Sequence, residues 1–383
     1  MRKSVLLSIF FFLNQITSSQ IKKNVYELNS INELLTVEVK KMIDLNINKK
    51  QTVFLGEAVH YSGSDFLAKI EFVKYLVIEH DYKDIAFESD FFALLFEHEK
   101  RNLYKMWSES NQCKELFVFL KENNVTIWGF DNKLYSRFSY QNFTEKLSSI
   151  LRESNFELNE EFIKLTKLII SNQYDSRKKL SQKEVEFLKK YTLELQNNEI
   201  IKSNKLWHQI LKSFESTIEL YTVKDNLSNK NLITIRDKQM AKNLDFLIKT
   251  NPNKKFIVWL ANGHMSKSNS KLMKGQTMGY QFREQNPNSS YHIAFGSIRL
   301  PERKEKEIIK AGRKSNNVLS LLPSLEKNYF LDAKKIISEN VELTNKVFND
   351  MYIFNLPNNK TKLLNNFDAL VFIAKGEVVT YPK

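Results

Sequence analysis

The segment from Gln51 to Glu88 constrains the fold more than any other part of this chain. Gln51-Thr-Val-Phe-Leu-Gly-Glu57 reads as a short apolar strand ending in Gly and a carboxylate. After a polar turn (Tyr61, Ser62, Gly63, Ser64), Phe66, Ile70, Val73 and Val77 recur at three- or four-residue spacing, which predicts an amphipathic helix from Asp65. Asp84-Ile-Ala-Phe-Glu88 is a second strand, again with a carboxylate at its C-terminal end. Strand, helix, strand is the unit of a parallel sheet, and strands this apolar need cover on both faces. The expectation is an α/β protein with a mostly parallel sheet flanked by helices. Further strands are expected at Val125–Asp131, Lys255–Leu260, Tyr291–Gly296, Met351–Asn355 and Ala369–Ile373.

Between about 145 and 250 the pattern changes to long charged helices. Ser181 with Glu184 three residues on has the form of a capping box, Val185, Leu188 and Leu193 follow on one side, and another helix runs from Ser203 to Tyr221. This stretch reads as a long helical insertion over the active-site edge of the sheet. No repeat or Pro-rich linker divides the chain, and 383 residues with 28 Phe and 42% apolar content can bury one large core. A single domain over 20–383 is expected.

The start is different in kind. Met1-Arg-Lys3, an apolar run from Val5 to Leu13 and small polar residues to Gln20 follow the order of an export signal, expected over 1–19 and too short to span a bilayer. The expected location is therefore periplasmic or extracellular. No later window predicts a transmembrane span, and the one Cys, Cys113, excludes an intrachain disulfide. The net charge of +14, or +12 without Arg2 and Lys3, comes from scattered Lys residues with no basic stripe. That argues against a nucleic-acid partner and leaves association with an anionic surface open; the expected partner is a small-molecule substrate. No heptad pattern is present to set an oligomeric state.

Of six His, His80 and His98 follow Glu in charged surroundings and read as surface residues, while His208 in a helix and His292 in a strand read as packing or as holding a single structural hydrogen bond. His60 and His264 each follow a strand closely. Glu57-x-x-His60 and Glu88 would share a cleft at the carboxyl edge of the sheet. They suit a His general base oriented by carboxylates, a divalent metal site, or a structural network. His264, after Trp259-Leu-Ala-Asn-Gly263, would reach the same edge and could donate to an oxyanion or leaving group, or hold the first imidazole. Gly-x-Ser-x-Gly, Gly-x-Gly-x-x-Gly, P-loop and His-Glu-x-x-His motifs are all absent, which lowers serine-hydrolase, nucleotide and zincin readings. Cys113, opening an apolar helical run, reads as buried filler. Arg236, Met240 and Asn243 share a helix face that would turn a guanidinium and an amide toward the cleft, with surface salt bridging as the alternative.

Together, Leu55-Gly-Glu-Ala-Val-His60, Lys69, Ile85-Ala-Phe-Glu-Ser-Asp90, Gly129-Phe-Asp131, Ile235-Arg-Asp-Lys-Gln-Met-Ala-Lys-Asn243, Val258-Trp-Leu-Ala-Asn-Gly-His264 and Met278-Gly279 closely resemble the erythromycin esterase-like family. The resemblance implies a hydrolase unrelated to the serine type. Such an enzyme opens the macrolactone ester of erythromycin by water attack, with no cofactor and no obligatory metal, and confers macrolide resistance. By the same resemblance His60 is the base, Glu57 and Glu88 orient or polarise it, and His264 holds the substrate side. Lys69 is the expected basic residue, with Arg236, Asn262 and Met278 as substrate-binding or supporting positions. Two positions depart from the family pattern: Ala261 stands where an imidazole is usual, and Tyr61 where Gly is usual. A metal-dependent hydrolase on the same groups, and an exported non-catalytic protein that keeps the cleft for a ligand, are the alternatives.

Overall fold

A computed structural model describes residue 21 and residues 23–171, 180–223, 229–268 and 275–382. The expected export signal over 1–19 lies outside the described residues. The strands are β1 (Val25–Leu28), β2 (Thr52–Glu57), β3 (Asp84–Asp90), β4 (Thr126–Asp131), β5 (Phe256–Ala261), β6 (Ser290–Arg299), β7 (Asn328–Asp332), β8 (Phe348–Asn349), β9 (Lys360–Thr361) and β10 (Ala369–Lys375). Eight of them form one sheet in the order β1-β7-β10-β6-β2-β5-β3-β4, and β8 pairs with β9 separately. Every neighbour pair from β10 to β4 is parallel, while β7 runs antiparallel to both β1 and β10. The sheet is mostly parallel, as the alternation of elements predicts.

Side chains alternate between its two faces. Val53, Leu55, Ile257, Trp259, Ile293 and Phe295 pack with α1 (Val37–Ile47) and α2 (Gly63–Glu79). Phe54, Val258, Leu260 and Ala294 turn the other way, into a second core that holds the long helices. Those helices are α3 (Arg137–Leu151), α4 (Glu160–Ser171), α5 (Gln182–Asn197), α6 (Lys205–Val223) and α7 (Asn229–Thr250). The capping box read from Ser181 and Glu184 is present at the start of α5. α6 meets the carboxyl end of the sheet, where Thr217 Oγ1 donates to the Asn132 carbonyl at 2.6 Å.

Two features differ from expectation. Met351–Asn355, expected as a strand, forms a one-turn helix (Met351–Phe354) ended by Asn355 in the left-handed region, φ 51°. β1 and β7 were not anticipated, and both lie at the antiparallel edge. Among the described residues no helix is long and apolar enough to cross a membrane.

The topology also locates a crevice. β2 and β5 are neighbours, yet β2 leads through α2 on one face to β3, whereas β5 leads through α8 (Asn262–Met265) and α9 (Met278–Gln285) on the other face to β6. Connections that leave adjacent strands in opposite directions open a gap at their carboxyl ends, the usual ligand site of such sheets. Gly56 is required there: a Cβ on it would lie 2.4 Å from Asn262 Oδ1 and 2.8 Å from Met265 Sδ, so α8 can cross β2 only above a glycine.

Candidate active site

The last residue of β2, Glu57, is fully buried with both carboxylate oxygens engaged. Oε1 lies 3.0 Å from His60 Nδ1, and Oε2 accepts from Lys69 Nζ, which reaches up from α2. Lys69 is itself fully buried and sits 3.8 Å over the Trp259 ring, so its cation is held by one carboxylate and one aromatic face. Burial lowers the Lys69 ammonium to about 8, against the upward pull of Glu57 and Asp65. His60 is the exposed member, its side chain 43% accessible, with its ring edge-on to Trp107 at 5.9 Å. Burial pulls the imidazole down, but the hydrogen bond and charge of Glu57, aided by Glu88, leave its pKa above the ordinary histidine value. Among the described residues Nε2 of His60 has no hydrogen-bond partner.

A second cluster comes from the opposite face. Arg236, near the start of α7, donates from Nε and Nη2 to Asp131 at 3.1 and 2.6 Å and from Nη2 to Glu88 Oε1 at 2.7 Å. Its Nη1 is 3.1 Å from His264 Nε2. His264 Nδ1 is 2.7 Å from Asp237 Oδ1, and the other Asp237 oxygen accepts from the Met278 backbone N–H at 2.9 Å. Glu88 Oε2 accepts from the Ala261 backbone N–H at 3.1 Å. Burial alone would raise Glu88, but His264, Arg236 and His60 hold it well below the usual carboxylate range. Asp131 is lowered too, with burial again outweighed by Arg236. His264 is lowered by burial, yet Asp237 and Glu88 carry it above the ordinary value. The two clusters face each other closely enough for the charge of His264 to pull His60 down and for His60 to help hold Glu88 low.

These acids, imidazoles and cations stand at one cleft in the order in which blocks of the chain reach the sheet edge. The erythromycin esterase family pattern matches residues 76–376. This chain belongs to the erythromycin esterase family. The family match starts inside α2, so Glu57, His60 and Lys69 lie before it. The chain is similar to the Bacillus subtilis (strain 168) protein named "Putative hydrolase YbfO", 27% identical over an alignment of 287 positions that covers 64% of this chain and 64% of that one. It thus spans just under two thirds of that relative's length. Among solved structures, a Bacillus cereus protein superposes with a TM-score of 0.75 at 17% identity, covering 97% of this chain and 99% of that one. A succinoglycan biosynthesis protein gives 0.75 at 17% identity over 95% and 98% of the two chains. A mutant of the erythromycin esterase EreC in its open conformation gives 0.67 at 16%, over 92% and 98%. At these identities the structural likeness shows the fold alone.

In this erythromycin esterase family member, not every residue singled out from the sequence reaches the cleft. Glu57, His60, Lys69, Glu88, Arg236 and His264 come together there. Asn262 is buried elsewhere: its Nδ2 donates to the carbonyls of Phe295 and Ile353 at 2.7 and 2.8 Å, tying α8 to β6 and to the Met351–Phe354 turn. Met278 acts through its backbone N–H, its side chain lying in the core. Arg236 is no surface salt bridge, being 14% exposed among three polar side chains, Asp131, Glu88 and His264. Asn243, on the same helix face, binds the Phe130 carbonyl at 3.1 Å and so fastens α7 to β4 instead of facing the cleft. His292 is a structural residue, stacked on Phe54 at 4.2 Å with Nδ1 2.8 Å from the Met265 carbonyl and Nε2 2.9 Å from Ser290 Oγ, and burial lowers it to about 4. Cys113 is buried, which pushes its thiol up to about 12.

Asp131 and Asp237 are the residues whose roles were missed. Asp131 ends a strand as Glu57 does, with Glu88 two residues short of the end of β3, and that placement was a usable signal. Asp237 offered none beyond its position beside Arg236. Among the described residues no group of three or more His, Cys, Asp and Glu side chains is arranged to hold a metal ion; the carboxylates of the cleft are engaged with Lys69, Arg236 and the imidazoles.

Proposed function

We propose that this chain is a hydrolase that cleaves a carboxylic ester with water activated by His60. The observation that carries the reading is the chain of contacts Lys69–Glu57–His60. Glu57 holds Nδ1, fixes the ring and favours a proton on that nitrogen, which leaves Nε2 as the basic atom at the open side. In this reading Nε2 takes a proton from water as the oxygen adds to the ester carbonyl. The tetrahedral intermediate then expels the alkoxide, which leaves with a proton from an imidazolium. The products are an acid and an alcohol, or one ring-opened hydroxy acid from a lactone. In this reading Arg236, and His264 once it is protonated, supply positive charge on the far side of the cleft, where an oxyanion would develop. The family name supports a macrolide lactone as the first ester to try. The opening peptide supports action outside the cytoplasm, and fractionation of expressing cells tests that.

The deciding experiment incubates the protein with erythromycin and a panel of simple esters, following each by mass for the gain of one water, with His60→Ala as control. Turnover that survives His60→Ala removes the proposed base. Ala261 favours one other reading: it pairs in register with Glu57, so the imidazole usual in the family is missing directly beside the dyad. A ligand that binds and is recovered chemically unchanged would support a binding protein that has kept the cleft.

A further inference from the structure

We propose that the segment Gly376–Thr380, which follows β10, is a strap that sets the position of the His60 loop, with Ser64 and Gln112 as the positioning residues through which it acts. Its effect on turnover rests on the ester-hydrolysis reading; its effect on the loop does not.

The contacts are directional and continuous. Val379 N–H donates to the Tyr61 carbonyl at 2.8 Å, the residue next to His60, and Ser62 and Val378 form an antiparallel bridge. Gly63 N–H donates to the Glu377 carbonyl at 2.8 Å, with Ser64 N–H directed at the same oxygen at 3.4 Å. These two N–H groups open α2, and Ser62 at its N-cap makes no side-chain cap. The first turn of a helix has N–H groups with no partner inside the helix. Here the strap supplies a carbonyl in place of a capping side chain. Ser64 Oγ completes the clasp by binding both the carbonyl and the N–H of Glu377. On the other side Gln112 accepts from Thr380 N–H at 3.0 Å and donates to Glu377 Oε1 at 2.8 Å, and Asn111 N–H donates to the Thr380 carbonyl at 2.8 Å. The strap is thereby stitched between two loops.

The fit is close: a Cβ on Gly63 would lie 2.8 Å from the Val378 carbonyl oxygen. Ser62, Gly63 and Ser64 are buried while Glu377 and Val378 above them are exposed, so the strap is what covers them. His60 lies three residues before α2 and Lys69 within it, and both meet on Glu57. Fixing where the helix starts therefore fixes how the imidazole and the ammonium share that carboxylate. The family match ends at residue 376, so residues 377–380 of the strap lie beyond it.

The test compares the full chain with a chain ended after Gly376 and with a full-length Ser64→Ala/Gln112→Ala variant. Three readouts are taken: amide hydrogen exchange, the imidazole titration of His60 by NMR, and kcat and KM on p-nitrophenyl acetate. Exchange at residues 61–64 should quicken about tenfold or more in both altered proteins while β2 and β5 stay protected. The His60 titration should move down toward the ordinary value as Glu57 loosens its hold, and kcat should fall more than KM changes. Unaltered exchange at 61–64 and an unaltered His60 titration in both proteins would overturn the strap. A parent with no turnover would remove the ester reading, while exchange and titration still decide the strap. If the shortened chain loses protection throughout, the double variant decides alone.

Discussion

Arg236 Nη1 lies 3.1 Å from His264 Nε2. A guanidinium has only donors, so in this arrangement Nε2 accepts and the ring proton sits on Nδ1, directed at Asp237 Oδ1 at 2.7 Å. Glu88 Oε1 is 3.5 Å from the same Nε2. When His264 gains a second proton, Nε2 becomes a donor, so the guanidinium Nη1 must give way and Glu88 becomes the acceptor. His264 thus has one arrangement as a neutral acceptor and another as a cation, and Asp237 holds the ring in both. Asp237→Asn should lower the His264 titration, because the carboxylate that raises it is gone, and should slow turnover by about 10–10². An NMR titration beside steady-state kinetics checks both.

The pH dependence of turnover should follow His60. As a base it works only when neutral, so kcat/KM should rise with pH through an inflection above the ordinary histidine value of about 6.5. Glu57 is the chief group raising it. In Glu57→Gln the inflection should move to lower pH while the plateau falls, since the ring is no longer fixed. A pH–rate profile of the two proteins with an unchanged inflection would separate His60 from the observed activity.

Arg236 ties stability to acid. Glu88 and Asp131 have folded-state pKa values below their ordinary ones. Each therefore contributes stability that is present above about pH 4 and is lost as the pH falls from there toward the folded value. Arg236→Gln leaves two buried carboxylates without their cation and should cost about 3–5 kcal/mol at pH 7. Their protonation then relieves the variant, so its deficit against the parent should shrink between pH 7 and pH 4. Urea unfolding at those two values tests the sign.

Lys69→Met should destabilise by a comparable amount, about 3–5 kcal/mol, through the stranded Glu57 carboxylate. It should also remove a feature at alkaline pH. Folded Lys69 sheds its proton near 8, against about 10.4 in the unfolded chain. The unfolded state therefore binds more protons between those values, and the parent gains stability from this group as pH rises through them. Chemical unfolding of parent and variant at pH 8 and pH 10 should show that increment in the parent alone.

Gly56→Ala should cost about 1–3 kcal/mol and reduce turnover together with it. The methyl group would press on Asn262 and Met265 and lift α8, which carries His264. Thermal unfolding and kinetics on one preparation would show the two losses side by side.

The parallel centre of the sheet was legible because β2, β3, β4 and β5 are continuous apolar runs, and three of those runs end in Glu57, Glu88 and Asp131. Met351–Phe354 was misread because four apolar residues contain too little period to separate a strand from a single helical turn. β1 and β7 are short and half polar, and they are strands because they pair with each other and with β10. Asn262 stands two residues before His264, and two steps around a helical turn send its amide into the core instead. The partners of Arg236 lie 105 and 148 residues away. No local pattern carries pairings of that range; only the convergence of strand ends does.

The opposed departure of the chain from β2 and β5 has a kinetic consequence. Lys69 arrives with the helix layer on one side of the sheet, and Arg236, Asp237 and His264 arrive with the layer on the other. A refolding intermediate with only one layer docked would hold half of the charge pattern, with carboxylates still without their cations. Native secondary structure should then return before activity does, and the lag between them would time the moment at which the two cores close on the same strand ends.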